Sequence, residues 1–290
     1  MSFRTVVIAN QSRINYKNRF LVVKNEDDEK YIHLSEIDTI IVDSIAVSIS
    51  TYLLKELASN KINIIFCDEK HNPFGELSTY YSRHNTSKKI KEQISWKQKN
   101  KDELWSKIVK NKIINQGLLL KKISSEKYNL ILSYANDVKI GDKTNREGHS
   151  AKVYFNSLFG NSFVRNEDDN INAALNYGYS ILLSTINKEI VSNGYLTQLG
   201  IHHKNEFNEF NLTCDLMEPF RVIIDNFVYF NLNRKFDTKY KLDLINIFNN
   251  TYKYLNKNYT LKDIIKMYVK NSLESINSID MYKEFIYYEG

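Results

Sequence analysis

The densest grouping of reactive side chains is LGIHHKNEFNEFNLTCDLMEPFRVIID, residues 199–225. His202 and His203 are followed there by Asp215, Glu218, Arg221 and Asp225. Asp215 and Glu218 stand three apart, so on a helix both project from one side. Asp-x-x-Glu at a helix start is also a capping pattern. Pro219 agrees with capping, because proline is tolerated only in a first helical turn. A further acid, Glu147, opens the segment NREGHSAKVYFNSLFG at 145–160, where Glu147, Ala151, Tyr154 and Leu158 share a helical face. A glutamate in a first turn is favoured by the helix dipole alone. The chemical alternative has Glu147, His203 and Glu218 converging from separate segments on one divalent cation. Oxygen ligands with one imidazole suit Mg²⁺ or Mn²⁺. Both the capping and the metal readings stay open on residue types alone.

Other chemistries have less to stand on. The chain contains no G-x-G-x-x-G, no P-loop and no G-x-S-x-G elbow. Cys67 and Cys214 form no close-spaced metal or redox motif, and each sits in an apolar pattern that reads as core.

Charge is distributed unevenly. Residues 83–122 carry twelve Lys or Arg against three acids, an excess of +9, while the other 250 residues hold 28 against 31, or −3. Arg83, Lys88, Lys89, Lys91 and Lys97 recur along expected helix, with Trp96 and Trp105 among them. Like charges one turn apart repel. Such a concentration is therefore costly unless a polyanion supplies counter-charge, and phosphate is the common supplier. The plainer reading is a solvated helix face with the tryptophans packed inward.

These groups need elements to hold them. Short β-branched and aromatic runs recur at 4–10, 19–25, 30–34, 39–43, 61–68 and 75–81, separated by polar punctuation such as NEDDE and KHNPFG. One helical pattern, 47–59, interrupts them. Beyond Tyr81 the apolar period becomes helical over 88–115, 117–136, 147–159, 169–191, 213–232 and 260–275. In 168–184, Ala173, Ala174, Gly178 and Ser180 alternate with larger residues and suggest a closely packed core helix, with Asn172 and Asn176 one turn apart. The expected class is α+β: a β-rich domain at 1–81, a linker at 82–88, and a larger all-helical domain at 89–290. Of 290 residues 42% are hydrophobic and 26% charged, which is ordinary globular composition. Glycine and proline together make only eleven, which favours long helices. No signal peptide or apolar run near the ~20 residues of a membrane span is visible, so a soluble cytoplasmic protein is expected.

Taken together, these residues resemble the CRISPR-associated spacer integrases. Arg146-Glu147-Gly148 with Ala151 and Tyr154-Phe155 looks like that family's first metal-ligand helix. Asp169 through Asn172-Ala173, Leu175 and Gly178-Tyr179 resembles the helix beside it. Gly200-Ile201-His202-His203, then Asp215-Leu216-Met217-Glu218-Pro219-Phe220-Arg221, is similar to the segment carrying the family's His and acidic ligands. The resemblance covers nearly the full length. It implies Glu147, His203 and Glu218 as the metal-binding, catalytic triad, and Asp215 as an additional acid near the metal. Many members carry Asp where this chain has Glu218, which resembles the variety found beside single-protein RNA-guided effector nucleases (type II systems). The implied reaction joins the 3′-hydroxyl ends of new spacer DNA to the leader-repeat by transesterification. Implied partners are double-stranded DNA, a second copy through the N-terminal domain, and a small second adaptation protein. Other type II adaptation proteins and the effector nuclease extend that list. Arg83, Lys88, Lys89, Lys91, Lys97 and Arg146 would contact DNA backbone. Two alternatives compete: a structure-selective metal nuclease without joining, and a non-catalytic basic scaffold.

Overall fold

The computed structural model describes residues 4–26, 28–69, 73–77, 85–165 and 167–287. The chain divides into two compact units, Met1–Tyr81 with Phe236–Asn246, and Ser82–Lys235 with Ile247–Gly290. The architecture is α+β, with strands concentrated early and helices dominating afterwards.

In the first unit, β1 (Arg4–Ile8), β2 (Ser12–Lys17), β3 (Phe20–Lys24), β4 (Glu29–His33), β5 (Ile37–Val42), β6 (Val47–Ile49), α1 (Thr51–Ser59), β7 (Asn63–Cys67) and β8 (Pro73–Glu76) follow in order. Among the described residues they form two four-stranded sheets, ordered β1-β5-β7-β8 and β4-β3-β2-β6. β1, β5 and β7 run parallel and β8 antiparallel, while β2, β3 and β4 make an antiparallel meander with β6 parallel to β2. Ile14, Leu21, Ile37, Ile40, Leu53, Leu57 and Ile64 are fully buried in one core. The helix expected over 47–59 begins only at Thr51. Ser50 stays extended and accepts from the Leu53 amide at 3.3 Å, leaving 47–49 free to pair with β2. β2 was not foreseen, because Ser12 and Ile14 supply only a short inward alternation. Of the strand expected over 75–81, Gly75 and Glu76 lie in β8, and residues 78–81 lie outside the described residues.

The second unit contains α2 (Thr86–Ile94), α3 (Gln98–Lys122), α4 (Tyr128–Asn136), α5 (Arg146–Phe159), α6 (Asn170–Ser192), α7 (Asn211–Met217), a short 3-10 turn at Glu218–Phe220 and α8 (Arg221–Phe230). α2 already begins inside the stretch read as a linker. The single helix expected over 88–115 is broken at residues 95–97, where Ser95 bonds back to the Glu92 carbonyl and Trp96 turns inward to stack on Tyr195. α9 (Thr238–Asn246) belongs to the first unit.

The remainder is mostly helical, as expected, with one short hairpin inserted. β9 (Thr251–Tyr254) and β10 (Lys257–Thr260) pair antiparallel ahead of α10 (Leu261–Ser275). Tyr252 and Tyr254 alternate inward. The two-residue turn puts Leu255 and Asn256 at φ +48° and +64°, a hairpin geometry in which leucine is an unusual occupant. After α10 the chain returns along α3. Asn111 exchanges hydrogen bonds with the Phe285 backbone at 2.6 and 3.0 Å, and Asn115 accepts from the Tyr287 amide at 2.8 Å. Among the described residues no helix is long and apolar enough to cross a membrane.

Candidate active site

The site is assembled on α3, whose residues 105, 108, 112, 115 and 119 fall at helical spacing and are all buried. Three of them are apolar and Asn115 is satisfied by backbone hydrogen bonds; Lys112 requires compensation, and it receives two carboxylates. Its ammonium is hydrogen-bonded to Glu147 Oε1 from α5, and lies 2.6 Å from Glu218 Oε2 of the 3-10 turn. Arg221 Nε holds the other Glu218 oxygen at 3.1 Å. Burial would push the Glu218 carboxyl up, but Arg221 and Lys112 outweigh it and hold it down at about 2. Burial would likewise pull the Lys112 ammonium down, but Glu218 and then Glu147 leave it raised.

Each carboxylate is placed by local structure. Asp142 caps α5: its carboxylate accepts from the Arg146 amide at 2.9 Å and the Glu147 amide at 3.0 Å. Asn145, at φ +51°, adds a bond from the Gly148 amide. A Cβ at Gly148 would come within 2.8 Å of Asn145 Oδ1, so the tight cap requires glycine there. Ser150 donates to Gln116 at 2.7 Å, tying α5 to α3 one turn beyond the Lys112–Glu147 contact. Asn115 donates to the Pro219 carbonyl at 2.9 Å and fixes the Glu218 turn against the same helix.

Asp215 is fully buried and accepts four hydrogen bonds. Its Oδ2 takes the Ile201 and His202 amides at 2.6 and 3.0 Å; its Oδ1 takes the His203 amide at 3.1 Å and the His203 ring at 2.6 Å. Asp215 therefore fastens the histidine loop and does not cap its own helix. A carboxylate only accepts, so Nδ1 of His203 carries the proton towards Asp215 and Nε2 is the ring nitrogen not committed to it. The bond to Asp215 also raises the His203 pKa. His202 is a different case. Its ring lies flat on Trp105, with centroids 4.3 Å apart and planes 2° apart, and burial lowers its pKa. The two neighbouring imidazoles are thus distinguished by their partners.

Gly200 allows this packing. A Cβ there would collide with the His203 carbonyl oxygen and approach Asp215 Oδ2 to 2.8 Å. Gly200→Ala is expected to displace the loop and lower the melting temperature, because neither the backbone carbonyl nor the buried carboxylate can give way. A melting temperature equal to that of wild type would contradict the packing argument.

A second buried network backs the site. Tyr154 of α5 donates to Asp225 of α8 at 2.9 Å, and Tyr179 of α6 donates to its other oxygen. Arg221 lies 4.7 Å from the Tyr179 ring centroid. Burial pushes the Asp225 carboxyl up to about 6 despite the two phenols. With the folded value above the ordinary 3.8, the proton bound by Asp225 stabilises the fold fully below pH ~4. That contribution of about 3 kcal/mol is lost as pH rises through 6. Asp225→Asn is expected to flatten the stability curve between pH 4 and 6, read as urea midpoints. A wild-type slope kept in the variant would assign that titration elsewhere.

The residues expected from sequence are therefore partly gathered. Glu147 and Glu218 meet, and His203 lies close enough to influence Glu218 electrostatically. Among the described residues, however, no three His, Cys, Asp or Glu side chains close around a common point suited to a metal ion. The Lys112 ammonium sits between the two glutamates instead. The donor set nevertheless fits a hard divalent cation. Two carboxylates already converge on a positive charge, Glu218 Oε2 is buried with an ion pair but no hydrogen bond, and His203 offers Nε2.

Of the cations expected on DNA, Lys88, Lys91 and Lys97 are exposed, and Lys89 is tied to Glu92 at 3.0 Å and Tyr195 at 3.2 Å. Arg146 is half-buried, 3.6 Å from Asp137 and 5.5 Å from the Tyr134 ring centroid. Arg83 lies outside the described residues. Asn172 and Asn176 hold the Arg165 guanidinium at 3.0 and 2.8 Å. Sequence reasoning missed Lys112, Asp142, Gln116 and Trp105 as parts of the site. Lys112 carried no local signal, because the face 105–108–112–115–119 already includes a second polar residue, Asn115.

A family model described as CRISPR associated protein Cas1 matches residues 5–268. The CRISPR-associated endonuclease Cas1 of Neisseria meningitidis serogroup C (strain 8013) is 32% identical over 226 residues, 78% of this chain and 74% of the relative. Among solved structures, a chain of a Cas6-RT-Cas1–Cas2 complex superposes with a TM-score of 0.77 at 19% identity over 99% of this chain, which spans 36% of that longer chain's length. A casposase bound to integration product gives 0.71 at 19% identity, over 99% of this chain and 92% of that one. At such identities the structural likeness is one of fold.

Proposed function

Because the chain belongs to the CRISPR associated protein Cas1 family, we propose that it is a metal-dependent DNA integrase and endonuclease of CRISPR adaptation. It joins the 3′-hydroxyl ends of new spacer DNA to the leader-repeat of a CRISPR array. The carrying observation is that Glu147 and Glu218, from separate segments, converge on one cation beside a histidine whose Nδ1 is already committed to Asp215.

In the reaction, the oxygen of the incoming 3′-hydroxyl attacks a phosphodiester phosphorus. A new O3′–P bond forms, the target's P–O3′ bond breaks, and the displaced strand leaves as a 3′-hydroxyl. Glu147, His203 and Glu218 would hold Mg²⁺ or Mn²⁺, which when bound supplies positive charge against the developing charge on the phosphoryl oxygen. The chain's own groups prepare that position. Asp215 sets the tautomer and angle of His203, Asp142 anchors the helix start carrying Glu147, and Arg221 keeps Glu218 ionised. Exposed Lys88, Lys91 and Lys97 would neutralise backbone phosphates, with Lys89, Arg83 and Arg146 beside them.

The reading extends to assembly. The chain would work in the cytoplasm as a homodimer formed through the β-rich domain, with the residues after 88, apart from 236–246, as the catalytic, DNA-binding domain. It would join a small second adaptation protein, and Glu218 at a position often held by Asp supports a type II-like setting with its further adaptation proteins and effector nuclease. The relative of known fold named for a Cas1–Cas2 complex supports the second partner.

The test uses a labelled duplex with free 3′-hydroxyl ends, a plasmid bearing a leader and repeat, Mn²⁺ and the second adaptation protein. Covalent attachment of label, lost when the ends are dideoxy-terminated, is expected. Plasmid cleavage without attachment would instead favour a structure-selective nuclease, and neither activity would favour a basic scaffold.

A further inference from the structure

We propose that Lys112 is a resident counter-cation of the Glu147–Glu218 pair, and that a divalent ion binds the pair only by displacing its ammonium from at least one of the two carboxylates. The proposal rests on the metal-dependent reading above and adds what that reading leaves out, namely what occupies the ligand position beforehand.

The geometry is direct. The Lys112 ammonium contacts Glu147 Oε1 and lies 2.6 Å from Glu218 Oε2, at a residue only 7% exposed. Arg221 holds Glu218 Oε1 from the other side. Two carboxylates thus face two cations, and the cluster is neutral without a metal. A carboxylate pair of which Glu218 is buried and Glu147 only partly exposed would repel without a counter-charge, so a cation is needed to hold the pair together. A divalent ion entering beside an unmoved ammonium would meet it at about 4 Å, and repulsion between a double and a single positive charge at that distance near a protein surface is worth roughly six orders of magnitude in an equilibrium constant. One of the two cations must yield.

Lys112 is the one suited to move. Its charge is compact and sits on a flexible four-carbon stem, whereas a guanidinium is a rigid fork. Arg221 is additionally packed over the Tyr179 ring at 4.7 Å. Occupation by Lys112 keeps both glutamates in place while no metal is bound, and it lowers divalent affinity by the work of displacement.

The experiment compares Mn²⁺ binding by calorimetry to the full chain and its variants, with no DNA present. Lys112→Gln keeps a polar group of similar length without the charge, and is expected to bind Mn²⁺ at least ten-fold more tightly than wild type. Lys112→Arg keeps the charge and is expected to bind no more tightly. A Glu147→Ala/Glu218→Ala protein should lose the site. If wild type binds at the pair but Lys112→Gln binds equally or more weakly, the proposal is overturned while the metal-dependent reading stands. If wild type and the double alanine protein bind alike, the metal-dependent reading itself fails, and Lys112 is then only an ion-pair partner. Should Lys112→Gln not fold, the wild type alone decides. In protein labelled with ¹⁵N-lysine, the buried Lys112 ammonium signal, assigned by its absence in Lys112→Arg, must shift or vanish as Mg²⁺ is added. A signal unchanged at saturating Mg²⁺ would overturn the displacement.

Discussion

Replacing Glu147 by glutamine is expected to reduce strand transfer to background, a loss of three orders of magnitude or so, while the fold survives. The glutamine keeps the size and the Asp142 cap, which acts on the backbone amide and not on the side chain. It removes one of the two carboxylates that would hold the metal, and transition-state charge then goes uncompensated. Glu147 is about one-third exposed, and Lys112 retains Glu218 as partner, so the stability cost should stay near 1 kcal/mol. Strand-transfer assays beside thermal melts separate the two effects. Residual transfer within ten-fold of wild type would remove Glu147 from the machinery, and a large drop in melting temperature would make the loss uninformative about chemistry.

Asp215 carries the second large expectation, of a different kind. Asp215→Ala removes the acceptor of three loop amides and of the His203 ring, all at once, in a fully buried position. Unsatisfied buried donors cost about 1–3 kcal/mol each before relaxation, so a total near 3–5 kcal/mol is expected. Asp215→Asn is the sharper probe. Its amide can replace only one acceptor oxygen, and facing its NH₂ toward His203 would force the opposite tautomer. Strand transfer should fall by roughly ten- to hundred-fold, with a smaller loss of stability than in the alanine variant. If Asp215→Asn were as active as wild type, His203 would not depend on that bond. Equal melting temperatures for Asp215→Ala and wild type would contradict the burial argument outright.

Much of this arrangement is readable from residue order. The recurrence of β-branched runs before Tyr81 and the 3.6-residue period afterwards identify an α+β chain, because both patterns depend on neighbours within a turn or a strand. Glu147 at a helix start and the grouping of His203, Asp215 and Glu218 within twenty residues are visible for the same reason. β9 and β10 escape notice, because two tyrosines at period 2 within a polar stretch are a weak signal until α10 and the end of the chain cover them. The break before α3 escapes too, since only the docking of Trp96 onto Tyr195 gives the helix a reason to stop.

Lys112 marks the boundary between the two kinds of information. In sequence it is one of twelve cations between 83 and 122, and nothing in its immediate neighbours separates it from the lysines that face water. Residue order alone carries the class of fold, the acids and imidazole available for chemistry, and the excess of positive charge. Tertiary structure decided which lysine loses its water, that Asp215 serves His203 instead of a helix end, and that both glutamates meet on α3. The physical reason is range. Periodicity and capping are local, whereas desolvation depends on partners 35 residues away in sequence at Glu147 and 106 residues away at Glu218.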